Sequence, residues 1–85
     1  MDASHALKLV QESLAEQFDL EIERLLPEAH LFSDLGLDSI DALDLVGVLE
    51  QRLGAPVPEE ELKSIRRVQD VVELILRHAP VEEQA

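Results

Sequence analysis

The stretch Asp34-Leu35-Gly36-Leu37-Asp38-Ser39-Ile40 marks the point where a long connection ends and a strongly amphipathic segment begins. Apolar residues recur through this segment at helical spacing, which predicts a helix from Ser39 to about Leu53. Asp38 is the expected N-cap, because its carboxylate can accept hydrogen bonds from the free N–H groups of the first turn. Gly54 is the expected stop, since glycine readily adopts the left-handed conformation that ends helices.

Three further helices are predicted before and after this one. The first has Asp2 or Ser4 as its expected N-cap. The predicted bounds are Ser4 to about Asp19 for the first helix, an opening at 58–62 for a short third helix, and Val68 to about His78 for the fourth, which Pro80 ends. The expected fold class is therefore all-α, a four-helix bundle with three long helices, one short helix III and a long loop between helices I and II.

Each long helix carries an apolar stripe that is expected to face the core. These stripes are Leu7, Val10, Leu14 and Phe18 in helix I, Leu45, Val48, Leu49 and Leu53 in helix II, and Val68, Val71, Val72 and Ile75 in helix IV. Leu62 and Ile65 are expected to turn inward from helix III. The connection from Leu20 to Asp38 is too apolar for a flexible linker and predicts an ordered loop, with a helical turn around 22–26. Loops of this length in small domains tend to be functional.

The composition predicts a single domain over residues 1–85, with 80–85 as a frayed tail. The chain has no cysteine, and its only aromatic residues besides histidine are Phe18 and Phe32, so the core must be built from aliphatic side chains. No apolar run approaches the length of a membrane span, and no signal peptide is evident, which favours the cytoplasm.

The formal net charge of −12 argues against binding to nucleic acid or to anionic membranes. Between Arg24 and Arg52 there is no lysine or arginine. The acidic residues of that interval are Glu28, Asp34, Asp38, Asp41, Asp44 and Glu50. Ile40, Leu43 and Gly47 fall among these acids, on a different face of helix II from the inward stripe. Single exposed apolar residues are common, but their place beside Ser39 favours a surface that meets basic partners.

The residues offer little for an enzyme. The three histidines, His5, His30 and His78, are far apart, and there is no cysteine nucleophile. A calcium loop is disfavoured because Gly36 stands at the third position, where an oxygen ligand is needed. No metal site is expected.

Ser39 has two interpretations. Its local pattern favours a plain helix-capping sequence. However, if Asp38 is the cap and Asp41 completes an imperfect capping box, Ser39 occupies the first helical position and its hydroxyl is not needed there. A hydroxyl at the positive end of a helix suits an attached phosphate group.

At this point a family resemblance is evident. The chain is similar to the phosphopantetheine attachment region of acyl carrier proteins in the motif 34–41 and in the residues that follow it, Leu43, Leu45, Leu49 and Glu50. The resemblance covers nearly the whole chain, including Val57-Pro58 before a short helix and a last helix led by Val68. It implies an acyl-carrier-like four-helix bundle.

The resemblance implies a carrier rather than an enzyme. A phosphopantetheinyl transferase, with magnesium, would move 4′-phosphopantetheine from coenzyme A onto the Ser39 hydroxyl, beside the motif residue Asp38. Acyl groups would then be carried as thioesters on that arm, in fatty-acid, polyketide-type or related specialised lipid biosynthesis. The implied partners are ketosynthases, acyltransferases and other acyl-processing enzymes with basic docking patches. This chain is expected to be a monomer. The implied recognition surface on helix II is Ile40, Asp41, Leu43, Asp44, Val46, Gly47 and Glu50.

Departures from the family pattern leave alternatives open. Ile40 stands where fatty-acid carriers more often have leucine, and peptidyl carriers usually read Leu-Gly-Gly-Asp-Ser, where this chain has Leu37 in place of the second glycine. A peptidyl or aminoacyl carrier of a non-ribosomal pathway is one alternative, and a small acidic helical adaptor without a prosthetic group is another. Arg66-Arg67 stands where a serine or threonine cap is common, so helix IV is expected to start less firmly.

Overall fold

The computed structural model describes residues 1–79 as a bundle of three α-helices joined by two loops that each contain a short 3₁₀ helix. The α-helices are α1 (Ala3–Phe18), α2 (Ser39–Leu53) and α3 (Val68–His78). The 3₁₀ helices span Ile22–Arg24 in the first loop and Glu59–Ser64 in the second, and the latter is called the short helix below. The predicted all-α class and the order of the elements are confirmed. The predicted stop at Pro80 and the tail 80–85 lie outside the described residues.

The core is almost entirely aliphatic, as expected for a chain with so few aromatic residues. It combines one face of each α-helix with Leu25, Leu31, Leu35 and Leu37 of the first loop and Val57 and Ile65 of the second. Fully burying such a side chain contributes about 1.5–3 kcal/mol relative to leaving it exposed. The first loop is therefore a part of the core, which confirms the prediction of an ordered loop.

The buried faces of α1 and α2 are rotated about the helix axes relative to the predicted stripes, so that each stripe is only partly correct. In α1 the deepest residues include Ala6 and Ser13, whereas Leu7 and Phe18 are only half-buried. In α2 the buried residues are Ala42, Leu45, Val46 and Leu49, and the predicted Val48 and Leu53 are half-buried. Both buried faces include small residues, and a pattern built from large apolar residues misses them.

The start of α3 is held more firmly than its Arg66-Arg67 sequence suggests. The backbone N–H groups of Arg66 and Arg67 both donate to the Asp70 carboxylate, each at 2.9 Å. The N–H of Val68 donates to the carbonyl oxygen of Ala29 at 3.0 Å, and that of Gln69 to the carbonyl of Pro27 at 2.8 Å. Carbonyls of the first loop thus bind the first two N–H groups of α3, and one of these, that of Gln69, is a group that a serine or threonine cap could otherwise bind.

The first loop and the segment before α3 are joined by further hydrogen bonds. The N–H of Leu31 donates to the carbonyl of Arg66 at 2.8 Å, and His30 forms an isolated antiparallel bridge with Arg67. The Arg67 guanidinium also donates to the carbonyl of Glu28 at 2.7 Å. Within residues 1–79, no helix combines the length and apolar character needed to cross a bilayer.

Replacing Gly47 by alanine should stabilise the protein. Gly47 lies inside α2, and a Cβ added there would meet no atom within 4 Å, so alanine restores helix propensity without a clash. The expected gain in unfolding free energy is about 1 kcal/mol, which raises Tm by about 4–8 °C in a domain of this size. Thermal and urea unfolding followed by circular dichroism would measure it.

The matched control is Gly54→Ala, at the end of the same helix. Gly54 has a φ of +72°, in the left-handed region, where alanine is strained. That variant should lose about 1 kcal/mol. If Gly47→Ala were destabilised as much as Gly54→Ala, the space around position 47 would be too small for a methyl group, which would contradict the prediction.

Candidate functional site

The first turn of α2 is closed by two aspartates that cap each other's backbone. Asp38 Oδ1 accepts from the N–H of Asp41 at 2.9 Å, and Asp41 Oδ2 accepts from the N–H of Asp38 at 3.1 Å. The predicted capping box is therefore present, with a short aspartate serving in the place of the more usual glutamate. Asp38 holds the extended backbone typical of an N-cap, with φ −117° and ψ −177°.

Ser39 is the first residue of α2, and its side chain is exposed. Because Asp38 accepts the hydrogen bond from the first turn, the Ser39 hydroxyl takes no part in capping. The N–H groups of Ser39 and Ile40 precede the first intrahelical donor, Ala42, and have no acceptor among residues 1–79. The hydroxyl is thus presented to solvent at the positive end of a helix, next to two free donors.

A groove of about 400 Å³ runs from Ser39 between α2 and the short helix. Its apolar wall consists of Ile40 and Leu43 from α2 and Leu62 from the short helix. Its polar lining includes Glu59, Glu60 and Lys63. The surface beside Ser39 is therefore an amphipathic groove, with carboxylates and one ammonium on the side of the short helix.

The outer face of α2 combines exposed apolar and acidic side chains, as predicted. Ile40 is 67% exposed and Leu43 is 47% exposed, so both side chains present apolar surface to solvent. Asp44 is exposed as well and has no hydrogen-bond partner within the described part of the chain, whereas Asp41 is half-buried through its capping role. These residues lie together around Ser39 and form the outer face of α2 referred to below.

Two residues predicted for the recognition surface are engaged elsewhere. Val46 is only 4% exposed and belongs to the core, so its assignment to that surface was wrong. It lies one turn after Ala42, which is itself buried, and both therefore point inward. Glu50 is half-buried, and its Oε2 accepts a hydrogen bond of 2.6 Å from the N–H of Val57. Its carboxylate fixes the loop after α2 and is not a free docking charge, while Gly47 is half-buried beside it.

The sequence pattern did not predict that the short helix contributes to the site. Leu62 packs against the core as predicted, but it is only half-buried and also lines the groove beside Ser39. Lys63 was not singled out at all. The only local signal for it is a single cation directly after Glu59, Glu60, Glu61 and Leu62. Its place beside Ser39 depends on how the second loop folds back, which local sequence does not encode.

Comparison with known proteins gives a consistent result. Residues 8–75 match the family described as PP-binding, the phosphopantetheine attachment site. The chain is 42% identical over 72 residues to acyl carrier protein 2 of Ralstonia nicotianae, covering 85% of this chain and 89% of the relative. It is 36% identical over 75 residues to the acyl carrier protein of Thermosynechococcus vestitus, covering 88% and 93%.

A solved structure agrees with these sequences. The crystal structure of an acyl carrier protein from Thermotoga maritima superimposes with a TM-score of 0.78 at 28% identity, covering 91% of this chain and 89% of that one. Taken with the geometry around Ser39, these matches show that the chain belongs to the acyl carrier protein family, whose members bear phosphopantetheine and act as carriers rather than as enzymes.

Proposed function

We propose that this chain carries 4′-phosphopantetheine on the Oγ of Ser39 and tethers acyl groups on that arm. One observation carries the proposal. Asp38 caps α2, so the Ser39 hydroxyl is exposed and makes no hydrogen bond in the cap. Among the described residues, no other serine combines exposure with the first position of a helix.

The attachment reaction follows from these groups. The Ser39 oxygen attacks the phosphorus of coenzyme A that bears the pantetheine chain, a new P–O bond forms, and adenosine 3′,5′-bisphosphate leaves with the old bridging oxygen. The hydroxyl proton passes to a base of the transferase. The N–H groups of Ser39 and Ile40 and the positive end of α2 favour the phosphodiester that results. When attached, the arm supplies a thiol, which this cysteine-free chain does not otherwise have.

The proposed cargo is an acyl chain of fatty-acid or polyketide type. The relatives described above are named acyl carrier proteins, and Leu37 stands where peptidyl carriers usually have glycine. The proposed partners are a phosphopantetheinyl transferase and acyl-processing enzymes such as ketosynthases and acyltransferases. Basic patches on these enzymes would meet Asp44 and its acidic neighbours, while Ile40 and Leu43 would supply apolar contact at the centre of the interface.

Replacing Ser39 by alanine should abolish attachment. Incubation with coenzyme A, magnesium and a promiscuous phosphopantetheinyl transferase should add one phosphopantetheinyl group to the wild-type chain and none to Ser39→Ala, as intact mass spectrometry would show. Ser33→Ala, at an exposed serine in the first loop, is the matched control and should be modified like the wild type. A wild-type chain that never gains mass would instead favour an acidic adaptor without a prosthetic group.

A second experiment distinguishes the class of cargo. The modified protein would be offered either a malonyl transferase with malonyl-coenzyme A or an adenylating enzyme with its amino acid. Loading of the malonyl group alone is the expected result. Loading of the amino acid alone would assign the chain to the peptidyl or aminoacyl carriers.

Reversing the charge of Asp44 should weaken docking to the transferase. Asp44 is exposed and makes no internal hydrogen bond among the described residues, so Asp44→Lys changes the surface without disturbing the fold. The rate of attachment at low substrate concentration should fall about tenfold at low ionic strength. The difference should shrink as salt screens the charges.

Glu12→Lys is the control for net charge, because Glu12 is exposed on α1, away from the groove beside Ser39. Asp41→Lys is less suitable, since it also removes the capping box. Equal slowing by Glu12→Lys and Asp44→Lys would mean that overall charge, rather than the outer face of α2, guides the encounter.

A further inference from the structure

Lys63 is the only basic residue among those that line the groove beside Ser39. It projects from the short helix, where Glu59 and Glu60 line the same groove. Its side chain is exposed and has no carboxylate partner within residues 1–79. The chain therefore places one unpaired ammonium group within an otherwise acidic surrounding of the proposed attachment site.

The backbone that carries Lys63 is held in place from both sides. The Arg66 guanidinium donates to the carbonyl oxygens of Lys63 at 2.7 Å and of Ile65 at 2.8 Å. Within the short helix, the Glu61 carboxylate is bound by Arg77 at 2.6 Å and by His78, both at the end of α3. The guanidinium groups of Arg66 and Arg77 are thus engaged in fixing the short helix, and among the residues that line the groove only Lys63 carries a positive charge.

A phosphodiester on Ser39 would bring a further negative charge into this surrounding. Asp38, Asp41, Glu59 and Glu60 already lie near it, so the new charge is repelled from several directions. Free N–H groups on the α2 side offset part of this repulsion. On the side of the short helix, only Lys63 can do so.

We propose that Lys63 is a positioning residue whose ammonium pairs with the phosphodiester of the arm on Ser39. The pair holds the first part of the arm against the groove between α2 and the short helix, so that the arm leaves Ser39 in a restricted direction. This inference rests on the proposed attachment at Ser39. It adds Lys63, a residue of the short helix and not of the attachment motif, as a partner for the attached group.

The two lysines of the chain, Lys8 and Lys63, allow a direct test. Reductive methylation with ¹³C-formaldehyde labels both side chains, and dimethyl-lysine keeps its charge and one N–H donor. Lys8 is exposed on α1, away from the groove, and serves as an internal control. Conversion from the unmodified to the phosphopantetheinylated protein, confirmed by intact mass, should move the methyl signal of Lys63 and leave that of Lys8 in place.

A second measurement separates a pair with the phosphate from a merely structural role. The change in Tm on attachment would be compared for wild type, Lys63→Gln and Lys63→Arg, with Lys8→Gln as the matched control. The Tm of the modified protein minus that of the unmodified protein should be about 1–4 °C lower in Lys63→Gln than in the wild type at low salt, as expected for the loss of an exposed ion pair. Lys63→Arg should keep the wild-type value, and the difference should vanish near about 1 M salt, where the screening length is about 3 Å.

The ³¹P signal of the phosphodiester tests the same ion pair by observing the phosphate instead of Lys63. It should shift in Lys63→Gln and not in Lys8→Gln. A modified protein in which neither the Lys63 methyl signal nor the ³¹P signal responds would overturn the pairing and leave the attachment at Ser39 standing. A chain that gains no mass would overturn both proposals together.

Discussion

The exchange of hydrogen bonds between Asp38 and Asp41 determines how the rest of the site is arranged. A helix leaves its first N–H groups without intrahelical acceptors, and some side chain or ligand must bind them. Here Asp38 accepts one of them and Asp41 binds back to the cap residue. Because both tasks fall to aspartates, Ser39 stays at the first helical position with its hydroxyl free. The same two carboxylates contribute to the negative surface that a basic partner would approach.

The site is built from two segments that are separated in sequence and differ in character. The first turn of α2 supplies the hydroxyl and free N–H donors, together with the exposed side chains of Ile40 and Leu43. The short helix supplies Leu62, which completes the apolar wall of the groove, and the mixed charges beside it. Its position depends on the ends of α2 and α3, since Glu50 binds the N–H of Val57 and Glu61 is bound from α3. Elements far from Ser39 therefore shape what an attached arm would meet.

Local signals predicted the helices and the place of Ser39 at the start of α2, because the determinants of both are local. Asp38 begins α2 and Gly54 ends it through contacts within a few residues, as predicted. The buried face of α2 was misplaced because Ala42 is small and was not counted as apolar core, which left Val46 on the wrong side. The bond from Val57 to Glu50, the groove position of Lys63 and the anchoring of α3 by the first loop require the folded chain. No period or capping rule encodes such contacts.

The hydrogen bonds from the start of α3 to the first loop also bear on the order in which the chain folds. Arg67 and Glu28 are 39 residues apart, and the carbonyls of Pro27 and Ala29 receive the first N–H groups of α3. Bringing these segments together requires closing a loop that contains all of α2, and the entropy of that closure must be lost before the contacts form. The caps of α1 and α2, by contrast, join residues three positions apart. We therefore expect the contacts between α3 and the first loop to form late, once α2 and its two flanking loops have taken their places.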